Sequence, residues 1–229
     1  MQLLNIKNIE FEKQGKILFK IEKLSINTGE IIGLIGKNGS GKTTLLKYIA
    51  DLLKDENNIS SEFLEFGENS LLKKSGGEVV INKIRGSLLS NFELYLLDEP
   101  STYLDYNNAN KIASLIKRTP ATFCIASHDR NFLNNVCTKL WIIENNTVRE
   151  FNGNYHEYKF QEEIETTEYE AELQKYNKEV KKIKKSIQEM KEEQGKKSGK
   201  PKNMSGSDYR IISVKNKISK NEKRLQKKI

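Results

Sequence analysis

Apolar residues fall in short runs separated by segments of helical period over the first two-thirds of the chain. Met1–Ile9 and Ile17–Ile26 read as strands flanking a turn at Lys13–Lys16. Glu30–Ile35 is an Ile-rich run that stops at Gly36, and Thr44–Leu53 after it has helical spacing. Leu94–Leu97 and Ala121–Ala126 read as buried strands. Between them Asn107–Lys117 places Ala109, Ile112, Ala113 and Ile116 on one helical side. Lys139–Glu144 and Val148–Phe151 form a further strand pair around a turn at Asn145–Asn146. Such alternation, with continuous apolar strands, predicts an α/β fold with a parallel sheet covered by helices.

The last quarter has a different pattern. Tyr169, Leu173, Tyr176, Val180, Ile183, Ile187 and Met190 recur at alternating spacings of four and three, a heptad seam. A break follows at Gln194–Ser207, with Gly195, Gly199, Pro201 and Gly206. Ser205 and Asp208 then resemble a capping box, and Ile211, Val214, Ile218, Leu225 and Ile229 continue an apolar stripe. The simplest expectation is an antiparallel helical hairpin with a basic tip of Lys196, Lys197, Lys200 and Lys202. Some 35 residues of helix make an arm of roughly 50 Å.

Composition sharpens this division. The 229 residues are 36% hydrophobic and 31% charged, with a net charge of +8. From Leu173 to Ile229 there are 19 Lys and Arg against 6 Asp and Glu; the other 172 residues carry 20 against 25. A basic arm on an acidic body predicts a polyanionic partner for the arm, nucleic acid before any other. The longest apolar stretches are five or six residues, too short for a membrane span. The N-terminus lacks the pattern of a secretory leader. Two cysteines, Cys124 and Cys137, do not make a disulfide framework. The expectation is a cytoplasmic protein without a membrane partner.

Four motifs carry chemistry. Gly36, Lys37, Asn38, Gly39, Ser40, Gly41, Lys42 and Thr43 fit G-x-x-x-x-G-K-[ST], between a strand and a helix that starts through Thr44. Its backbone N–H groups and the helix dipole favour phosphate; Lys42 reaches the β- and γ-phosphates and Thr43 offers a hydroxyl to Mg²⁺. In Leu96–Pro100, an apolar strand ends in two acids. Asp98 is placed to hold Mg²⁺, and Glu99 to orient or deprotonate an attacking water. Ser127-His128-Asp129 follows another strand, where His128 can contact the γ-phosphate. Ser75-Gly76-Gly77-Glu78 precedes the helical run Val79–Leu89, with Ser75 as a candidate cap.

In this order, GKNGSGKT, SGGE, LLDEP and SHD resemble an ATP-binding cassette ATPase over residues 1–154. The resemblance implies a P-loop cassette binding ATP and Mg²⁺, with Glu99 and His128 catalytic and Thr43 and Asp98 on the metal. It implies that Ser75, Gly76, Gly77 and Glu78 are a signature motif facing the ATP of an opposite cassette. Ser101 to Asp105 resembles the D-loop, and Phe11 is the candidate ring for stacking on adenine.

The likeness narrows with SHDRNFL at 127–133 and GNYHEY at 153–158, ahead of a long charged helix. These resemble the ABC-F translation factors, and the arm at 155–229, with its tip near 194–207, resembles their interdomain linker. That branch implies the ribosome as partner, with the linker reaching toward P-site tRNA and the peptidyl transferase centre through rRNA. KSGGEV and KPKNMS are most like the antibiotic-resistance members acting against lincosamides, streptogramins A and pleuromutilins. A general translation factor of the family, the ATPase subunit of a transporter, and a structural-maintenance-type DNA ATPase are the competing readings.

Three departures bear on hydrolysis. Only 32 residues separate Lys42 from Ser75, so the helical subdomain must be reduced. No glutamine lies in that interval, leaving Glu65 or Glu68 as partial substitutes. STYLD stands where PTNHLD-like strings are usual. One cassette also lacks the opposing signature motif, so a second is needed, in a longer chain or by dimerisation. The chain reads as a fragment ending in or just after the linker.

Overall fold

The computed structural model describes residues 1–13, 15–55, 59–66, 76–102 and 104–197. Eight strands form one mixed sheet in the order β1-β2-β8-β7-β3-β6-β5-β4. They are β1 (Gln2–Lys13), β2 (Lys16–Asn27), β3 (Ile31–Gly36), β4 (Ser61–Glu65), β5 (Leu94–Asp98), β6 (Thr122–Ala126), β7 (Lys139–Glu144) and β8 (Thr147–Asn152). The helices are α1 (Lys42–Asp55), α2 (Gly76–Leu88), α3 (Tyr106–Arg118), α4 (Arg130–Val136) and α5 (Tyr155–Lys197).

Strands β7, β3, β6, β5 and β4 are parallel to one another, β1–β2 and β7–β8 are antiparallel hairpins, and β2 pairs parallel with β8. The parallel centre is buried on both faces, which is why its strands read as continuous apolar runs. Successive side chains serve opposite layers. Leu94 and Leu96 of β5 join Leu45, Leu46, Ile49 and Leu53 of α1 in one core. Tyr95 and Leu97 join residues of α2, α3 and α4, among them Ile84, Ile112 and Phe132, in the other. Asp105 caps α3 by accepting from Asn108 N at 2.7 Å, and Asp129 caps α4 by accepting from Phe132 N at 3.0 Å.

The two strand pairs expected around Lys13–Lys16 and Asn145–Asn146 are the antiparallel hairpins, β1–β2 at one edge of the sheet and β7–β8 within it. Strand β1 also extends to Lys13, four residues beyond the apolar run that announces it. Among the described residues, β4 is the only regular element between α1 and α2.

The chain divides into two compact units, Met1–Gln161 and Glu162–Ile229. In the first unit Tyr158 of α5 is buried, edge-on to Phe151 at 5.6 Å, with the Arg149 guanidinium 5.4 Å from its ring centre. His156 N donates to Asn134 Oδ1 at 2.9 Å. The GNYHEY string is therefore the root of α5. In the second unit, α5 runs on to Lys197, three residues beyond the start of the expected break. Its seam, Tyr169 to Met190, is half-buried at each predicted position, and the residues between are exposed. The return helix, Glu68, Ser75, Tyr103, Lys200 and Lys202 lie outside the described residues; Lys196 and Lys197 fall in the last turn of α5.

Candidate functional site

Three strands of the parallel centre end at one edge of the sheet, and the loop after each brings functional groups there. β3 leads through Gly36–Gly41 into α1, β5 ends in Asp98 and Glu99, and β6 ends before Ser127 and His128. Ligands of parallel α/β sheets collect at this carboxyl edge.

Gly39 and Gly41 have φ of +77° and +101°, open to glycine and strained for other residues. At Gly41 a Cβ would also lie 2.8 Å from Leu18 Cδ2. The loop is pinned against β2 at a point where no side chain fits. Helix α1 makes its first backbone bond from Leu45 N to Gly41 O, 2.8 Å. The N–H groups ahead of it are left for an anion, at the positive end of the helix dipole.

Lys42 is buried. Its Nζ donates to Gly36 O at 3.1 Å and Lys37 O at 3.4 Å, and lies 3.0 Å from His128 Nε2. Burial pulls its pKa down, against the opposing pull of the Glu99 and Asp98 charges. Glu99 Oε1 lies 3.3 Å from the same Nε2. It is one of the buried polar atoms left without a hydrogen-bond partner, as is Asp98 Oδ1.

Asp98 is also buried, and Thr43 Oγ1 donates to its Oδ2 at 2.7 Å. Burial holds its carboxyl above the usual range; the Thr43 bond works against this, and Glu65 adds to it. Glu65 stands in register with Asp98 on the neighbouring strand, where it pairs with Lys47 at 3.1 Å. Glu99 has φ +56°, a left-handed backbone that is unusual for a branched-off acid at a strand end and typical of strained functional positions. Its Oε2 accepts from His128 N and Thr102 Oγ1, both at 3.3 Å. Behind these groups Ser101 Oγ and Ser127 Oγ share a 2.5 Å bond that ties the loops after β5 and β6 together.

Lys42, Thr43, Thr44, Asn38, Gly39, Gly41, Asp98, Glu99, Thr102 and His128 line one cleft of about 610 Å³, whose remaining wall is Lys13 and Leu18. Phe11, the expected stacking ring, is not among the residues lining that cleft. Its ring stacks on Phe19 at 5.1 Å and meets Tyr48 edge-on at 5.7 Å, packed against the core. Lys13 had no sequence signal as a wall residue; a register slip between Phe11 and Glu12 separates the two. Elsewhere, Gly77 abuts α3, where a Cβ would meet Asn108 Nδ2 at 2.7 Å. Gly76 and Glu78 stand in the first turn of α2, and Ser101 and Asp105 flank the connection into α3.

The donor set fits a divalent cation with phosphate. A hydroxyl and a buried carboxylate with one orphaned oxygen would hold the metal, beside a lysine and free helix N–H groups for the anion.

The sequence model of the family described as "ABC transporter" matches residues 19–65. "Ribosome protection protein VmlR" of Bacillus subtilis is 32% identical over 197 residues, covering 73% of this chain and 36% of that protein. "ABC transporter F family member 5" of Arabidopsis thaliana is 29% identical over 205 residues, covering 68% and 30%. The chain thus spans about a third of the length of these relatives. Among solved structures, the ADP conformation of MJ1267, an ATP-binding cassette of an ABC transporter, aligns with a TM-score of 0.55 at 18% identity, over 67% of this chain and 92% of that one. That likeness is one of fold.

Proposed function

The chain belongs to the ABC-F family of ATP-binding cassette proteins, and from that premise we propose that it is the nucleotide-hydrolysing half of a cytoplasmic ribosome-binding ATPase. ATP lies in the cleft with its phosphates on the Gly36–Thr43 loop. Lys42 leaves the loop carbonyls for the β- and γ-phosphates. Thr43 and Asp98 hold Mg²⁺, which when bound neutralises phosphate charge. Glu99 Oε1, lacking a donor, accepts a proton from the attacking water and aims it at the γ-phosphate. As Lys42 swings toward phosphate it frees His128 Nε2, which then faces the same phosphate.

The carrying observation is that two buried carboxylate oxygens without donors, Asp98 Oδ1 and Glu99 Oε1, sit in a cleft that also holds Lys42. One needs a cation and the other a water; Mg-ATP brings both. Turnover needs a second cassette, whose signature motif closes over this ATP, while residues 75–78 serve the partner's nucleotide. The arm at 155–229 supplies the RNA contact. Lys175, Lys178, Lys182 and Lys185 are exposed along α5, a spacing suited to phosphates and indifferent to base sequence. The finer reading is protection of the ribosome from antibiotics, with the arm reaching toward P-site tRNA and the peptidyl transferase centre; the likeness to a relative named a ribosome protection protein supports its ribosome part.

Sedimentation with ribosomes tests this reading. Glu99→Gln, in the two-cassette protein, should pellet with ribosomes in Mg-ATP and stay in solution with ADP. Equal pelleting in both nucleotides, or none in ATP, contradicts it.

A further inference from the structure

Asp98 has a charged neighbour that the site chemistry has not used. Glu65 is paired in register with it on the adjacent parallel strand, so the two side chains leave the same face of the sheet. That face is the α1 side: Phe63, two residues before Glu65, and Leu94 and Leu96, at even steps from Asp98, all join the core that α1 covers. The backbone at this point is held from two sides. Phe66 N donates to Asp98 O at 3.1 Å, and Lys83 Nζ of α2 donates to Glu65 O at 2.8 Å. The Glu65 carboxylate itself is not among the groups lining the cleft. Lys47, one turn along α1 from Thr43, holds it at 3.1 Å, and the Lys47 ammonium lies 5.6 Å from the centre of the Phe63 ring. Burial is the largest influence raising the Asp98 pKa. After the Thr43 bond, which lowers it, come the Glu65 charge, which raises it, and the Lys47 charge, which lowers it.

We propose that Glu65 is a positioning residue for the divalent cation: it strengthens cation binding at Thr43 and Asp98 through its charge, without touching the metal, and Lys47 holds that pull in check. This rests on the nucleotide-binding reading above. A carboxylate beside the site attracts a doubly charged cation and repels the phosphates that accompany it. Lys47 acts with the opposite sign from nearly the same place. Each charge therefore shifts the ratio of nucleotide affinities with and without Mg²⁺, which reports the cation affinity of the bound state. A lysine and a glutamate that merely fastened α1 to β4 would leave that ratio alone.

Titration calorimetry of the whole chain with ATP, with and without Mg²⁺, tests this. Glu65→Gln should lower the ratio by about two- to five-fold, the size of an interaction with a half-exposed charge. Lys47→Met should raise it by a similar factor, and the double variant should bring it back toward that of the unmodified chain. A ratio that Glu65→Gln leaves unchanged or raises overturns the proposal. So does a fall of both affinities together, with a lowered unfolding midpoint, since that is the mark of a structural strap. An unmodified chain whose ATP binding ignores Mg²⁺ would overturn the metal site itself, a result distinct from all of these.

Discussion

At the scale of single residues, the cleft trades stability for chemistry, and the trade can be measured. Asp98 is buried, and burial raises its carboxyl pKa above the unfolded value. The folded state therefore holds the Asp98 proton more tightly than the unfolded chain. The sign follows: this group favours folding below the ordinary carboxylate pKa, and that stability is lost as pH rises through the raised value. At neutral pH its charge is a cost until a cation arrives. Asp98→Asn, which removes that buried charge, should thus stabilise the nucleotide-free protein at neutral pH. Thr43 can still donate to the amide oxygen. Urea unfolding should show the gain growing as pH rises from the ordinary carboxylate pKa through the raised one and then levelling, and the variant should lose Mg²⁺-dependent nucleotide binding; a stability loss at neutral pH would contradict this. Gly41→Ala is the opposite case. A φ of +101° and a methyl 2.8 Å from Leu18 should cost about 2–4 kcal/mol and abolish phosphate binding, read as a lowered unfolding midpoint.

At the scale of elements, the motif-bearing strands and α1, α3 and α5 were legible because period and punctuation agreed. Glycine ends β3, acids end β5, and a broad apolar stripe defines α3. β4 was not legible: SEFLE is five residues with only Phe63 and Leu64 apolar, and its burial comes from α1 and β5. Helix α4 is too short for a period, though Asp129 ahead of it is a cap signal. Phe11 looked like a ligand ring because aromatic character in a sequence does not say which face it takes. The Lys139 role was equally hidden. It is buried on β7, and its Nζ donates to Ser25 O at 3.1 Å and Glu30 Oε2 at 3.0 Å, while Glu30 accepts from Asn27 N at 2.8 Å. This clasp joins β7 to the β2–β3 turn at the end of the sheet away from the cleft. Burial opposes the Glu30 charge, but the Asn27 and Lys139 contacts outweigh it and lower its pKa. Lys139→Met should destabilise by about 2 kcal/mol by leaving Glu30 short of its cation, with nucleotide affinity unchanged. Chemical denaturation paired with calorimetry reads both. At the root of α5, Tyr158→Ala should cost about 3 kcal/mol, as for other buried rings, and speed amide exchange in the first turns of that helix.

At the scale of the whole molecule, an acidic α/β body carries the candidate nucleotide site and a basic arm is the part proposed to meet a polyanion. Three of the four short motifs, GKNGSGKT, LLDEP and SHD, converge on the cleft because each follows a strand end where the backbone fixes side-chain direction. The arm's first helix could be read from its heptads. Its RNA contact rests on charge and on family likeness. The measurement that bears most directly on the central claim is calorimetric titration of the chain with ATP, with and without Mg²⁺, beside Lys42→Ala and Asp98→Asn. One saturable site is predicted, tightened by Mg²⁺. Lys42→Ala should weaken it at least ten-fold, as expected for a charge-assisted contact to phosphate, and Asp98→Asn should remove the Mg²⁺ effect. Binding that is indifferent to Mg²⁺ and equal in all three proteins would contradict the account.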